Sequence, residues 1–295
     1  MRKLDLSQHY LLLAVASVSL WSVAATAFKE SLAQADPWQV VFLSSAVSAV
    51  VLGIGMILFK KALSLQDVKQ GACLGLLNPF LYYLVLLHAY NGLPAQMAMV
   101  VNYLWPVVLV LLSAPVLKQR ITAGSISGIL ISFAGVAFMA LSGGGSLNVK
   151  VLPLALALLS TVIWAIYWLL NARARGAAEV LFSSFIWGTA YLGLAGAVSS
   201  QSFAVSMKAL PWILYIGVFE MGLTYMMWST ALKNAPSAAA VGSLIFITPF
   251  LSLVLIYLVV GEPIAGSTAG GLLLVVAGIF VERFFRERKG SFDKN

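Results

Sequence analysis

Long apolar runs recur along this chain and are separated by short polar or basic connections. Ten runs can be delimited, and most contain about 20 residues, enough for a helix to cross a hydrocarbon core of roughly 30 Å. The pattern therefore predicts an all-α integral membrane protein with ten transmembrane helices. The predicted segments are 10–28, 38–59, 68–90, 95–117, 124–142, 151–172, 180–198, 211–232, 237–260 and 267–285.

The composition excludes a soluble domain. Of the 295 residues, 61% are hydrophobic and 9% are charged, and the mean hydropathy is +0.97. A soluble surface needs more charge than this. The net charge of +8 lies in short basic clusters between apolar segments, which is typical of loops at one membrane face. No nucleic-acid partner is therefore predicted.

The basic clusters also predict the orientation of the chain. If both termini are cytoplasmic, 15 of the 18 lysines and arginines fall on the cytoplasmic side, as the positive-inside rule requires. The three that fall outside are Lys29, Lys150 and Lys208.

An internal repeat relates the two halves of the chain. With a shift of 143 residues Trp21 aligns with Trp164, and with a shift of 142 Tyr83 aligns with Tyr225. Other aligned pairs are Pro106 with Pro249, Gly128 with Gly271, and Gly135 with Gly278. Because the first apolar segment belongs to this repeat, we interpret it as a retained helix, although a basic start and Ala25-Thr26-Ala27 imitate a signal peptide.

Five helices in each half would insert the second half upside down relative to the first. Inverted repeats are typical of secondary transporters, whose binding site lies at the repeat interface near the bilayer midplane. The predicted domains are residues 1–142 as the first five-helix repeat, 143–150 as an external linker, and 151–295 as the second repeat with a cytoplasmic tail. The linker contains the flexible stretch Gly143-Gly144-Gly145-Ser146.

Several short motifs carry a resemblance to a known family. They are Leu20-Trp21-Ser22 in the first segment, Trp164 in the sixth, Ala231 and Pro236 before the ninth, and Gly261-Glu262-Pro263 after it. Their order and spacing resemble the drug/metabolite transporter superfamily, EamA type. Within that group, Asn102-Tyr103-Leu104-Trp105-Pro106 is similar to the bacterial aromatic amino acid exporters.

The resemblance implies a basket-like bundle of ten helices around a central cavity. Aromatic residues of helices 3, 4 and 6 would line this cavity, and the protein would export small metabolites. One departure is Lys118-Gln119-Arg120, which stands where the second half has Gly-Glu-Pro. We expect that departure to affect a loop rather than the cavity.

Glu220 is the one acidic residue at the centre of an apolar segment. An ionised carboxylate at the bilayer midplane costs about 2.5–3.5 kcal/mol even on an insertion scale. The side chain should therefore face a cavity, be protonated, or have a partner. We interpret it as a contact for a substrate amine or as a proton-coupling site. The alternative is a protonated carboxyl group that is hydrogen-bonded to a neighbouring helix.

The repeat extends this candidate site. Asn78 aligns with Glu220, and Tyr82 aligns with Thr224. In each helix the two side chains are four residues apart and would share a face. Pro79 is predicted to kink helix 3 and to open space in a cavity wall. The substrate-binding candidates here are Asn78, Tyr82, Tyr83, Glu220 and Thr224, with a plain interhelical hydrogen bond as the alternative.

Tryptophans supply a second group of candidates. Trp164 and Trp168 are four residues apart and form an aromatic stripe that ends at Asn171. Tryptophan at a membrane interface needs no further function, and this alternative applies most strongly to Trp168. Trp164 lies deeper, and Trp21 is its repeat mate. All three tryptophans are therefore substrate-binding candidates.

The fourth segment carries polar and aromatic residues at its centre. Its residues 102–106 align with Ile-Phe-Ile-Thr-Pro at 245–249, so the proline is common to both halves. A proline inside a helix removes a backbone hydrogen bond and bends the helix. The predicted hinge residues are Pro79, Pro106 and Pro249, and the predicted recognition residues of this segment are Asn102, Tyr103 and Trp105.

Together these features predict a secondary transporter that works by alternating access. It would export small amphipathic metabolites, most readily aromatic or other apolar amino acids, because aromatic faces suit a planar ring or a cation. One alternative is a multidrug exporter for organic cations, with Glu220 as the counter-charge. A channel-like facilitator is a second alternative.

No enzyme, cofactor or metal site is predicted, because the sequence has no cluster of nucleophiles or metal ligands and no P-loop. The expected partners are a small-molecule substrate and membrane lipids, with proton coupling through Glu220 left open. Gly124 and Gly128, like Gly266 and Gly270, could pack helices within one chain or between two, so a monomer and a homodimer both stay open. The expected location is the bacterial or archaeal plasma (inner) membrane.

Overall fold

The structure is a computed structural model that describes residues 10–117, 123–142, 150–171, 177–235 and 243–292. All regular structure in these ranges is helical. The α-helices are α1 (Tyr10–Ser22), α2 (Ala24–Leu32), α3 (Pro37–Leu58), α4 (Leu65–Gly75), α5 (Tyr82–Gly92), α6 (Ala95–Asn102), α7 (Trp105–Leu117), α8 (Ala123–Ser142), α9 (Val151–Asn171), α10 (Ala177–Val198), α11 (Leu210–Tyr215), α12 (Thr224–Asn234), α13 (Thr248–Leu255) and α14 (Gly266–Phe292). Shorter helical segments are the π-helical Leu76–Leu81, Ile216–Leu223 and Ile256–Val260 and the 3₁₀-helical Ser243–Ile247.

Within the described residues, eight helical stretches are long and apolar enough to cross a membrane. They are Tyr10–Leu32, Pro37–Leu58, Leu65–Gly92, Ala95–Leu112, Val151–Asn171, Ala178–Val198, Leu210–Ala231 and Gly266–Phe285. Two shorter apolar helices, Ile126–Met139 and Leu244–Val260, coincide with the fifth and ninth predicted segments. The prediction of a helical membrane protein is confirmed, and the count of ten transmembrane helices stays a prediction.

The chain divides into two compact units. One unit contains residues up to 87 and residues 174–261, and the other contains residues 88–173 and those from 262 onward. Each unit thus takes helices from both halves of the sequence. The predicted glycine-rich linker, Lys118-Gln119-Arg120 and Pro236 lie outside the described residues.

In the first unit, the helix that begins the chain is divided after Ser22. α1 packs on α12, where Ala14 and Val18 meet Trp228 and Ala231. Two carbonyl groups at the division accept hydrogen bonds from side chains of other helices. Tyr215 Oη donates to the Leu20 carbonyl at 2.8 Å, and Ser252 Oγ donates to the Ser22 carbonyl at 2.8 Å. A broken helix is tolerated in a membrane when its freed polar groups are satisfied in this way.

Beside each of the three predicted hinge prolines the chain departs from regular α-helix. Next to Pro79, Asn78 has the extended backbone angles φ −141° and ψ 118°. α6 ends three residues before α7 begins at Trp105, so helix 4 is divided just ahead of Pro106. Pro249 stands in the first turn of α13, directly after the 3₁₀ segment. Helices 3, 4 and 9 therefore each depart from regular α-helix within a few residues of a proline.

In the second unit, α8 and α14 approach so closely that their glycines meet backbone. A Cβ atom on Gly128 would lie 2.5 Å from the carbonyl oxygen of Gly278, and one on Gly135 would lie 2.6 Å from that of Gly271. Ser132 Oγ, between them, donates to the Val275 carbonyl at 3.1 Å. Of the two possibilities for Gly128, packing within one chain or between two, the structure shows packing within one chain.

Candidate functional site

Glu220 lies in the π-helical segment Ile216–Leu223 of the first unit and is only 8% exposed. Tyr83 Oη donates a hydrogen bond to its Oε1 atom at 3.1 Å, and the hydroxyl of Tyr225 lies 3.4 Å from that of Tyr83. The other carboxylate oxygen, Oε2, is buried and has no hydrogen-bond partner among the described residues. One side of the carboxylate is thus held, and the other side keeps its capacity to accept.

Further aromatic rings lie beside Tyr83 and Tyr225, the two tyrosines of this group. Trp21 contacts Tyr225 edge-on at a centroid distance of 5.8 Å, and it contacts Trp228 at 5.4 Å. Its indole Nε1 donates to the backbone carbonyl of Glu220 at 3.3 Å. π-Helical turns leave carbonyl groups with irregular partners and recur at functional sites. The indole therefore holds the backbone at the residue whose side chain is the candidate contact.

Two further predicted residues of this unit are buried but less connected. The side-chain amide of Asn78 and the hydroxyl of Thr224 have no hydrogen-bond partner among the described residues. The prediction that Asn78 shares an α-helical face with Tyr82 does not hold, because Asn78 has an extended backbone. Tyr82 contacts Tyr83 edge-on at a centroid distance of 4.8 Å. It therefore adds a ring beside the residue that holds Glu220.

In the second unit, α6, α7 and α9 bring together the predicted residues of helices 4 and 6. Asn102 Nδ2 donates to Ser160 Oγ at 3.1 Å. The rings of Trp105 and Trp168 lie nearly parallel, with an interplanar angle of 24° and centroids 6.4 Å apart. Trp164 contacts Trp168 edge-on at 5.7 Å. Trp164 and Trp168 of the predicted stripe are therefore in contact on α9, and Trp105 of α7 lies beside Trp168.

Tyr103 lies at the division between α6 and α7, where the backbone forms a turn. It is half-buried, like Trp105. The buried side-chain Nε1 of Trp168 has no hydrogen-bond partner among the described residues. This second group thus offers stacked rings together with amide, hydroxyl and indole groups, a combination suited to an apolar ring with polar substituents.

Several residues that complete the two groups are not among the candidates predicted from the sequence. Tyr225 is the repeat mate of Tyr83, and that relation is the sequence signal that points to Tyr225 as a site residue. Tyr167 stacks on Trp164 with ring centroids 5.2 Å apart. Its position in the sequence between Trp164 and Trp168 is the signal that points to it. Tyr215 and Ser160 gave no signal, because their partners are distant in sequence.

The arrangement in the first unit suits a cation. A carboxylate with one oxygen that lacks a partner among the described residues, in a group that also holds tyrosine and tryptophan rings, can accept hydrogen bonds from an ammonium group while the rings attract its charge. Among the described residues, no group of three or more histidine, cysteine or acidic side chains could hold a metal ion.

The helical chain with its candidate membrane spans is a multi-pass membrane protein. It belongs to the EamA-like transporter family, whose model matches residues 8–141 and 151–282. It is 26% identical to an uncharacterized transporter of Archaeoglobus fulgidus over 90% of this chain and 95% of that protein. It is also 26% identical to the aromatic amino acid exporter YddG of Ancylobacter novellus over 94% and 98%. A crystal structure with 23% identity shares the fold with a TM-score of 0.68, covering 94% of this chain and 98% of that one.

Proposed function

We propose that this protein exports small amphipathic metabolites, above all amino acids with aromatic or apolar side chains, by alternating access across the plasma membrane. The observation that carries the proposal is Glu220, a buried carboxylate within a candidate membrane span, with one oxygen held by Tyr83 and the other without a partner in the part of the chain that the structure describes. An intramembrane carboxylate is costly, and such residues mark substrate pathways and proton relays. The exporter name of the Ancylobacter novellus relative supports the substrate class.

The proposed architecture is ten transmembrane helices in two inverted repeats, residues 1–142 and 151–295, joined by an external linker, with both termini cytoplasmic. The meeting of Tyr83 and Tyr225 supports it, because these repeat mates are 142 residues apart and their hydroxyls lie 3.4 Å apart. Residues that are equivalent under a twofold relation and touch each other must lie close to its axis. The carboxylate would then stand near the symmetry axis, where transporters of this kind bind their substrates.

Counterflow in proteoliposomes tests the proposed function. Vesicles that contain purified protein are loaded with an unlabelled compound, and uptake of the same labelled compound is followed for aromatic amino acids, cationic dyes and neutral metabolites. We expect aromatic amino acids to exchange with saturable kinetics and trans-stimulation, which separates a carrier from a channel. If no aromatic or apolar amino acid exchanges, the proposed substrate class is wrong.

A second candidate function is export of organic cations, and the unengaged Oε2 atom of Glu220 favours it. The same cavity would serve both functions, with the carboxylate as counter-charge. Proton coupling through Glu220 is part of the proposal in either case. Net uptake into proteoliposomes that is indifferent to an imposed pH gradient would contradict that coupling and leave a facilitator.

Replacing Trp105 by alanine is expected to weaken transport of aromatic substrates. Loss of one aromatic ring contact removes about 0.5–1.5 kcal/mol, so the KM for phenylalanine or tryptophan counterflow should rise about 2- to 12-fold. Trp187 lies on α10 at the surface and is 37% exposed, so Trp187→Ala is a matched control. Equal KM values for the two variants would remove Trp105 from the recognition surface.

A further inference from the structure

The connection that precedes α14 contains a carboxylate that the proposed site does not use. Glu262 Oε1 accepts a hydrogen bond from the backbone N–H of Ala95 at 2.9 Å, and its Oε2 accepts one from that of Gln96 at 3.4 Å. The side-chain Nε2 of Gln96 donates in turn to the carbonyl of Pro263 at 2.9 Å. Three hydrogen bonds therefore join this connection to the first turn of α6, all within the second unit.

The first N–H groups of a helix have no partners within the helix. The residue that precedes α6 is Pro94, whose side chain cannot accept a hydrogen bond. Glu262 supplies the missing acceptor from a distant part of the chain, and its negative charge faces the positive end of the helix dipole. The carboxylate therefore caps α6 in place of a local side chain.

The three residues of the Gly-Glu-Pro motif contribute differently to the contact between this connection and α6. Gly261 has the left-handed angle φ +77°, which a residue with a Cβ atom adopts rarely, and it turns the chain at the end of the preceding π-helical segment. Glu262 caps the helix. Pro263 supplies the carbonyl that accepts from Gln96, whose side chain is buried. The motif is thus a capping device that acts on a different helix.

The capped helix is short and carries recognition residues at its far end. α6 contains eight residues and ends at Asn102, where the chain is divided before Trp105. Asn102 bonds to Ser160 on α9, and Trp105 lies against Trp168 on the same helix. Because α6 does not continue as an unbroken helix into α7, its position depends on how each of its ends is held.

We propose that Glu262 is a positioning residue for substrate recognition. It holds one end of α6 so that Asn102 and Trp105, at the other end, keep their places against α9. This inference rests on the proposed function, since it assigns Glu262 an effect on substrate affinity. The side chain itself does not touch the substrate.

The test combines counterflow kinetics with amide hydrogen exchange in purified protein. For Glu262→Ala we expect exchange in residues 95–101 to become at least tenfold faster and the KM for an aromatic amino acid to rise about tenfold, with Vmax within twofold of wild type. Glu262→Gln keeps an acceptor oxygen but loses the charge, so both effects should be smaller. If the alanine variant does not fold, Glu262→Gln and Gln96→Ala carry the same comparison.

Asp36→Ala is the matched control, since Asp36 is the N-cap of α3, a helix that carries none of the recognition residues. We expect faster exchange at the start of α3 and an unchanged KM. A lower Vmax with unchanged KM in the Glu262 variants would mean a merely structural role, and unchanged exchange at 95–101 would overturn the cap itself. Wild-type protein without amino acid counterflow would overturn the proposed function too, whereas normal wild-type counterflow with an unaltered KM in the variants overturns this inference alone.

Discussion

Glu220→Gln is expected to raise the KM for organic cations about 10- to 150-fold, because a hydrogen bond to a charged group contributes about 1.5–3 kcal/mol. The amide is close in shape to the carboxyl group, and its oxygen can still accept from Tyr83, which donates to Oε1 at 3.1 Å. The substitution therefore removes the charge and leaves the local packing. Amino acids should be affected less, by about tenfold, because their own carboxylate offsets part of the attraction between Glu220 and their ammonium group.

The measurement is counterflow with a labelled cationic dye and a labelled aromatic amino acid in the same vesicles. Glu30→Gln is the control, because Glu30 lies in α2 of the same unit and is not among the described residues whose side chains bond to the Glu220 carboxylate or to Tyr83. Its KM values should match those of the wild type. If Glu220→Gln also leaves both KM values unchanged, the carboxylate takes no part in substrate binding.

The second large effect is expected at the contact between α8 and α14. A Cβ atom on Gly278 would overlap the Gly128 carbonyl oxygen and Ser132 Oγ, and it would lie 2.6 Å from the Ser132 nitrogen. Backbone atoms cannot turn away as a side chain can, so Gly278→Ala must push the helices apart. Overpacking of this kind costs about 1–3 kcal/mol, which should lower the melting temperature by roughly 2–12 °C.

Thermal unfolding in detergent measures this effect. Gly270→Ala is the matched control in the same helix, because its nearest neighbour is a ring carbon of Phe138 at 3.1 Å, and a ring can shift. We expect little change in its melting temperature. Equal melting temperatures for the two variants would mean that the close approach of the glycines does not limit stability.

The sequence predicted the helical segments and three of their interruptions, because these depend on local chemistry, but not the division of the first helix after Ser22. Apolar runs define the segments, and Pro79, Pro106 and Pro249 mark where they depart from regular helix. Glu220 was also predictable as a candidate, because a carboxylate within an apolar run stands out in the sequence whatever the fold. None of these predictions requires knowledge of which helices are neighbours.

The contacts of the candidate site could not be predicted in the same way. Tyr83 and Glu220 are 137 residues apart, and the bond from Trp21 to the Glu220 carbonyl spans 199 residues. Such contacts depend on helix packing and on the π-helical turn, which no local pattern indicates. The extended backbone of Asn78 is a similar case, because Asn78 and Tyr82 would share a face only on a regular α-helix. Helix faces derived from sequence are therefore least dependable beside a proline.

Tyr83 and Tyr225 are repeat mates whose hydroxyls lie 3.4 Å apart. In a protein made of two identical halves, the same tyrosine from each half would meet at this place. In such a symmetric pair, a glutamate at position 220 would be matched by a second glutamate at position 78. Fusion of the halves into one chain allows the two positions to differ, and here they are Glu220 and Asn78. Divergence of the two halves at this pair leaves one carboxyl group where a symmetric pair would have two, and one carboxylate can be neutralised by one ammonium group.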